Sequence, residues 1–261
     1  MSFRECVVCE TAQHAEHYCK IDGYDYLHCN QCGLVYVDQL EKTENIYKAY
    51  SGGGLKSLRR RLMAPFRKFH HDRSFDYSVK RAEAIFSFAA SQTSQSGKYL
   101  DVGCNKCYLL AQGLEKGWDV YGCELVPELT APFLNTHKQC RSHVHQGRFM
   151  DMRPQFANDT FELITAIDVI EHFEDVTADL NGILEILKPG GAFVIQTPDV
   201  NCQQAKQNGA NWGALKPLEH LHLFNLENLT TLAKRIGFSE VIGVDEVFEE
   251  ADGNFVAILR K

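Results

Sequence analysis

From Lys98 onward the apolar positions fall into two alternating periods. The runs "KYLDV", "WDVYGCE", "SHVHQG", "FELITAID" and "AFVIQTP" are short and rich in branched residues, the pattern of strands covered on both faces. Between them, "CYLLAQGLEKG", residues 127–138 and "VTADLNGILEILKPGG" space their apolar residues three and four apart, as amphipathic helices do. Gly117 and the Pro189-Gly190-Gly191 run supply stops. A further helix, "LENLTTLAKRIGF", also ends on a glycine. Two strands over 238–248 and 253–260 then complete an antiparallel edge. Strand–helix alternation with short connections predicts the α/β class, with a doubly wound, mostly parallel sheet.

The first 37 residues follow another logic. Cys6 and Cys9 form one CxxC pair, and Cys29 and Cys32 a second. The spacing between the pairs is that of a zinc ribbon, and Gly33 gives backbone freedom at the second knuckle. Four thiolates close a tetrahedral site and leave no open position, so the expected Zn2+ is structural. A module of this size builds too small a core to fold without such a staple. Cys19 is expected to pack rather than ligate, and the four-cysteine set is favoured over one completed by His14, His17 or His28. Between the pairs, "YDYLHC" alternates as a small strand does.

Residues 38–97 join the two parts as a helical linker or lid. A triple glycine precedes a basic run that includes Lys56, Arg59, Arg60, Arg61, Arg67, Lys68 and Arg73. That run reads as a solvated helix face, or as a lid meeting an anionic substrate. His70 and His71 are expected at the surface, and residues 77–90 have helical spacing.

In doubly wound sheets ligands collect at the carboxyl ends of the strands, where strand order reverses. Asp101 and Gly103 stand at the first such end, Glu124 at the second, Phe149, Met150 and Asp151 after the third, and Ile167 and Asp168 at the fourth. "DVGCNKCYLL" reads as a nucleotide-binding turn with Asn105 and Cys107 where two glycines usually repeat. Asparagine is the residue that best tolerates positive φ after glycine. Glu124 follows at the spacing at which a carboxylate accepts both hydroxyls of a ribose.

The chain has 261 residues, 44% of them apolar, and a formal net charge of −7. The apolar share supports a full core, and the negative charge disfavours nucleic acid as main partner. No run approaches a membrane span, and the amino-terminal residues carry charge and cysteine where a signal peptide needs apolar ones. A cytoplasmic protein is expected, its ten cysteines thiols or ligands rather than disulfides. Nothing in the pattern specifies an oligomeric state.

The segments "YLDVGC", "GWDVYGCEL", "FELITAIDVIEHFEDV", "EILKPGGAFVIQTPD" and "EHLHLFNLENLTTLAKRIGF" together resemble the class I S-adenosylmethionine-dependent methyltransferases over about 98–260. The cysteine-rich head resembles that of a subgroup methylating nucleotide-linked sugars and natural-product intermediates. The resemblance implies a Rossmann-like seven-stranded sheet in 98–261 behind the zinc ribbon, with S-adenosylmethionine as cofactor and a small-molecule acceptor. It implies that Asp101, Gly103, Cys104 and Asn105 lie along the methionine part of the cofactor. Glu124 would hold the ribose, Leu125 and either Asp151 or its neighbours the adenine, and Ile167 and Asp168 the sulfonium. His172 would stand at the substrate mouth. In "PLEHLHLFN", Glu219 and His220 match the subgroup's acceptor-side pair, and His222 is a further candidate base; Trp212 would wall the pocket. The departure from G-C-G-x-G to G-C-N-K-C leaves a second reading, a non-catalytic binding or assembly protein on a degenerate methyltransferase fold; a third, a nucleotide-dependent enzyme such as a dehydrogenase, is disfavoured by the missing glycines.

Overall fold

Strand β1 (Ala15–Ile21), β2 (Tyr24–Cys29) and β3 (Val35–Val37) form an antiparallel meander. This is a computed structural model, and it describes residues 3–40, 68–244, 247 and 253–261. Lys56, Arg59, Arg60, Arg61 and Arg67, and with them the lid expectation, lie outside the described residues. So do the side chains of Lys68, His70, His71 and Arg73, whose backbone belongs to helix α1 (Lys68–Ser91).

The elements then alternate: β4 (Lys98–Val102), α2 (Tyr108–Glu115), β5 (Asp119–Glu124), α3 (Pro127–Thr136), β6 (Val144–Gln146), the single turn α4 (Phe149–Met152) and β7 (Phe161–Ile167). After them come α5 (Val176–Ile186), β8 (Leu187–Pro198), α6 (Gln203–Asn208), β9 (His222–Leu223), α7 (Leu226–Ile236), β10 (Glu240–Val244) and β11 (Asn254–Arg260). The large sheet has seven strands in the order β10-β11-β8-β7-β4-β5-β6. Its pairs are parallel from β8 to β6, and β11 lies antiparallel to both β8 and β10. The expected architecture is the observed one. The order reverses between β4 and β7, which places the crevice beside Val102 and Ile167.

Strand alternation divides the core between the two faces. Leu100, Ile164 and Phe193 pack on one side with Leu180 and Ile183 of α5 and Leu229 of α7. Tyr99, Leu163 and Val194 pack on the other with Phe86 of α1 and Leu110 of α2. This period of two is what the pleat demands of a sheet covered twice. Helix α5 ends at Ile186, before the proline, and the register then jumps from Phe161 opposite Leu187 to Leu163 opposite Ala192, so the Pro-Gly-Gly run bulges out of the strand.

The amino-terminal meander does not stand apart. Strand β9 extends it to four strands, Val35 pairing with Leu223 and Tyr36 with His222. Cys6, Val8, Leu27 and Tyr36 share one buried cluster with Phe224, Leu229 and Leu232. Arg235 of α7 donates to the carbonyls of Val7 and Val8, and Asn228 Nδ2 to that of Cys32. Among the described residues no helix is long and apolar enough to cross a membrane.

Candidate active site

The turn after β4 is built on left-handed backbone. Gly103 has φ +72°, and a Cβ there would meet Val169 Cγ2 at 2.5 Å. Asn105 and Cys107 also take positive φ, 46° and 60°. Both substituted positions therefore keep a glycine-like conformation, which asparagine tolerates and cysteine meets at some strain. The Cys107 amide closes the turn on the Cys104 carbonyl at 2.7 Å, and the Cys104 amide reaches back to the Cys123 carbonyl at 2.9 Å.

Glu124 ties this turn to the next. Its Oε2 accepts the Asn105 amide and its Oε1 the Val126 amide, both at 2.9 Å. Two amides fix the carboxylate plane and leave further lone pairs for hydroxyl donors. Beneath it, Asp101 accepts from Thr165 Oγ1 at 2.6 Å, and Tyr99 OH lies 2.8 Å from the same hydroxyl. Burial, with the charge of Glu124, pushes the Asp101 carboxyl up to about 7 against the pull of that hydrogen bond.

These groups face a cavity of about 870 Å³, within the range of small-molecule sites. Its lining includes Asp101, Gly103, Cys104, Asn105, Glu124, Leu125, Ile167 and Asp168, so the expected cofactor residues converge except one. Asp151 is not in the lining: its carboxylate accepts the Arg148 amide at 3.0 Å and caps its own helical turn. Its neighbours Arg148, Phe149 and Met150 reach the cavity instead. Asp168, at φ +57°, is held by Arg81 at 2.8 Å and by Gln196 and Asn254 at 3.1 Å.

The histidines separate by role. His172 lines the cavity, and its Nδ1 lies 2.6 Å from the Glu219 carbonyl. A carbonyl only accepts, so Nδ1 carries the proton and Nε2 the lone pair. His220 stands behind it, the rings 4.9 Å apart, with its own Nδ1 on the Ala214 carbonyl at 2.8 Å. Burial, then the neighbouring His172 and Lys216, pushes His220 down to about 3. Burial lowers His172 too. His222 is fully buried in β9, its Nε2 2.6 Å from Arg4 Nη2, and burial first and Arg4 second push it down to about 3. Neither His220, His222 nor the Glu219 side chain is in the lining; the structure brings the Glu219–His220 segment to the site through His172. Trp212 packs with Tyr26 and Leu223 rather than walling the cavity.

Two further residues, Arg81 and Asp179, line the site without having been expected there, and a third, Glu171, lies beside His172. Arg81 comes from α1, and nothing local in the sequence marks it. Glu171, 1% exposed, accepts from Thr197 Oγ1 at 2.8 Å, and its carboxylate and the ring nitrogens of His172 and His220 lie within 4.8 Å of one another, a set that can hold a divalent cation. Asp179 also lines the cavity; burial, then Asp175, pushes it up to about 7. An acid among the apolar positions Val176, Leu180 and Ile183 of α5 was the available signal for it.

Glu171 gives a testable pH dependence. Burial first, then Asp168, raises its carboxyl from 4.5 to about 8. The folded state holds the proton that the unfolded chain releases, so this contribution is present below 4.5 and lost as pH rises through about 8. The expected loss is on the order of 5 kcal/mol. Denaturant unfolding of Glu171→Gln across that range should show the slope flattened; an unchanged slope would remove the buried proton from the account.

The four cysteine sulfurs also gather within 4.8 Å of one another, with Cys6 and Cys32 at 3.5 Å and Cys29 and Cys9 at 3.8 Å. Tetrahedral ligands at zinc–sulfur bond length lie ~3.8 Å apart, close to the two separations at Cys6–Cys32 and Cys29–Cys9, so the set suits a tetrahedral ion.

A family model described as a methyltransferase domain matches residues 69–242. A ubiquinone biosynthesis O-methyltransferase of Cereibacter sphaeroides is 29% identical over 147 residues, 52% of this chain and 57% of that protein. One from Xanthomonas euvesicatoria is 31% identical over 108 residues, 38% and 42% of the two. The chain spans about half the length of the curated relatives it matches. Among solved structures, a SAM dependent methyltransferase from Archaeoglobus fulgidus has a TM-score of 0.55 at 15% identity, over 74% of this chain and 99% of that one. An S-adenosylmethionine dependent methyltransferase from Mesorhizobium loti has a TM-score of 0.51 at 16% identity, over 68% and 98%. These likenesses establish the shared fold. With the family match running from α1 to β10, the chain belongs to the methyltransferase-domain family.

Proposed function

We propose that the protein is an S-adenosylmethionine-dependent methyltransferase acting on the hydroxyl of a small-molecule acceptor, a sugar or a natural-product intermediate. The observation that carries this reading is Glu124, which joins the two cofactor-side turns in a cavity that His172 also lines. S-adenosylmethionine, when bound, supplies a sulfonium methyl open to in-line displacement. Glu124 and the Gly103–Asn105 backbone position the reactant, which is most of the catalysis such a displacement needs. His172, neutral and oriented by the Glu219 carbonyl, presents Nε2 to take the acceptor proton. His220 and Glu219 act on it as positioning groups, in place of the direct roles expected from the sequence.

Zinc at Cys6, Cys9, Cys29 and Cys32 is structural in this reading. The name of the O-methylating relatives supports oxygen as the acceptor atom. Ten cysteines without a disulfide support a reducing, cytoplasmic setting.

Calorimetric titration with S-adenosylhomocysteine tests the cofactor site directly: saturable binding is expected, and none would favour the degenerate, non-catalytic reading. In His172→Ala, affinity for S-adenosylhomocysteine should stay within about twofold while turnover falls ~100-fold or more, the usual scale of a lost general base. Turnover unchanged across pH 6–8 would remove His172 from the mechanism.

A further inference from the structure

Residues 219–221 bridge two parts of the chain that are far apart in sequence. Their backbone groups are shared between the loop after β7 and the amino-terminal ribbon. On the loop side, the Glu219 carbonyl accepts from His172 Nδ1 at 2.6 Å, and the Leu221 amide donates to the Glu171 carbonyl at 2.7 Å. On the ribbon side, Tyr26 of β2 donates its hydroxyl to the His220 carbonyl at 2.9 Å, and the Val37 amide of β3 donates to the Leu221 carbonyl at 3.1 Å. The His220 amide closes the turn on the Lys216 carbonyl at 2.7 Å. Each backbone donor and acceptor from the Glu219 carbonyl to the Leu221 carbonyl therefore has a partner, and the two sides alternate along the chain.

Tyr26 is the side chain that the ribbon supplies to this bridge. It is wholly buried and packs with Trp212, Leu215 and Leu223. Burial, against a hydrogen bond from the Lys216 backbone, pushes its hydroxyl above the ordinary phenol range, so it keeps its proton and stays a donor. The carbonyl it holds belongs to the residue after Glu219, whose own carbonyl orients His172. A neutral imidazole has two tautomers, and the hydrogen bond at one nitrogen decides that the other keeps the lone pair. With the His220 carbonyl held, the Glu219 carbonyl is an acceptor in a fixed place, and the lone pair stays on Nε2. With it released, the Glu219 carbonyl can turn out of line, and the selection weakens.

We propose that Tyr26 is a positioning residue of the active site, contributed by the amino-terminal ribbon, and that it fixes the tautomer of His172 through the His220 carbonyl. For its effect on turnover this inference rests on the reading of His172 as the acceptor's base; the coupling between Tyr26 and the imidazole does not. Tyr36, on the neighbouring strand β3, supplies the comparison. It is equally buried, but its hydroxyl donates to the Arg4 carbonyl at 3.0 Å and so stays within the ribbon.

The test uses the full chain loaded with one equivalent of zinc and isotopically labelled at the histidine nitrogens. Magnetic resonance shifts of the two ring nitrogens separate the tautomers, and the His172 signals are those missing from His172→Ala. The wild type should show His172 in the Nδ1–H form alone. Tyr26→Phe keeps the buried ring and should bring the Nε2–H form up to roughly a tenth of the molecules or more, the scale of one weakened hydrogen bond. Its melting midpoint should fall by no more than about 6 °C, and its affinity for S-adenosylhomocysteine should stay within about twofold of the wild type. Tyr36→Phe should loosen the ribbon to a similar degree and leave the His172 signals as they are. A His172 spectrum unchanged in Tyr26→Phe, or altered equally in Tyr36→Phe, overturns the assignment of Tyr26. Failure of the methyltransferase reading would show elsewhere, as a wild type that binds no S-adenosylhomocysteine or as turnover intact in His172→Ala. The ring signals, recorded without ligand, decide Tyr26 in either case.

Discussion

Cys29→Ser should lower the melting temperature of the entire chain, not of its first 37 residues alone. Structural zinc in small domains contributes roughly 10 kcal/mol or more to folding, and serine is a poor fourth ligand. Cys29 is wholly buried at the end of β2, facing Cys9. The loss would propagate because Leu27, Leu34 and Tyr36 share their cluster with Phe224 and Leu229, and β3 pairs with β9. Elemental analysis of the purified chain should return one zinc per molecule, and a chelator should reproduce the variant's melting curve. A Cys29→Ser protein that melts like the wild type would show that the four thiols do not hold a structural ion.

The second large effect is expected at Glu124→Ala. The substitution strips the Asn105 and Val126 amides of their acceptor as well as removing the ribose contact. The buried Val126 amide left unpaired costs about 1–3 kcal/mol and the part-buried Asn105 amide less, so unfolding free energy should fall by roughly 2–4 kcal/mol. Affinity for S-adenosylhomocysteine should fall further than two lost ribose hydrogen bonds predict, ~100-fold or more, because the turn that bears the methionine part loses its tie. Glutamine will not rescue it, since its amide nitrogen would face one of the two N–H donors. A folded Glu124→Ala protein with undiminished affinity would displace the ribose from this position.

The sheet was legible because its strands are apolar throughout and bounded by glycine, proline and acids; spacing alone put Asp101, Gly103 and Glu124 at strand ends. The turn was legible in a different way. Asn105 signalled a left-handed residue, and the structure has it at φ 46°. What the sequence concealed is long-range. A two-residue strand at His222–Leu223 has no period to detect, so the joining of the ribbon to β9 could not be foreseen. The same blindness extends to the histidines. His220 and His222 are two apart in sequence, yet one packs edge-to-face against His172 and the other lies against Arg4. Asp151 and Asp179 differ only in where their carboxylates point, which capping decides and spacing does not.

The β3–β9 pairing also sets the order in which the protein can be finished. Tyr36 leaves the ribosome first but cannot meet His222 until roughly 190 further residues have been made, some 10–40 s later at ordinary synthesis rates. Through that interval the ribbon is a three-stranded meander with an open edge at Val35–Val37, and zinc at its four thiols would be its main staple. If the four thiols hold zinc, its supply during translation should weigh more on the yield of native chain than its supply afterwards. Starvation for the ion should appear as nascent-chain aggregation before it appears as lost activity.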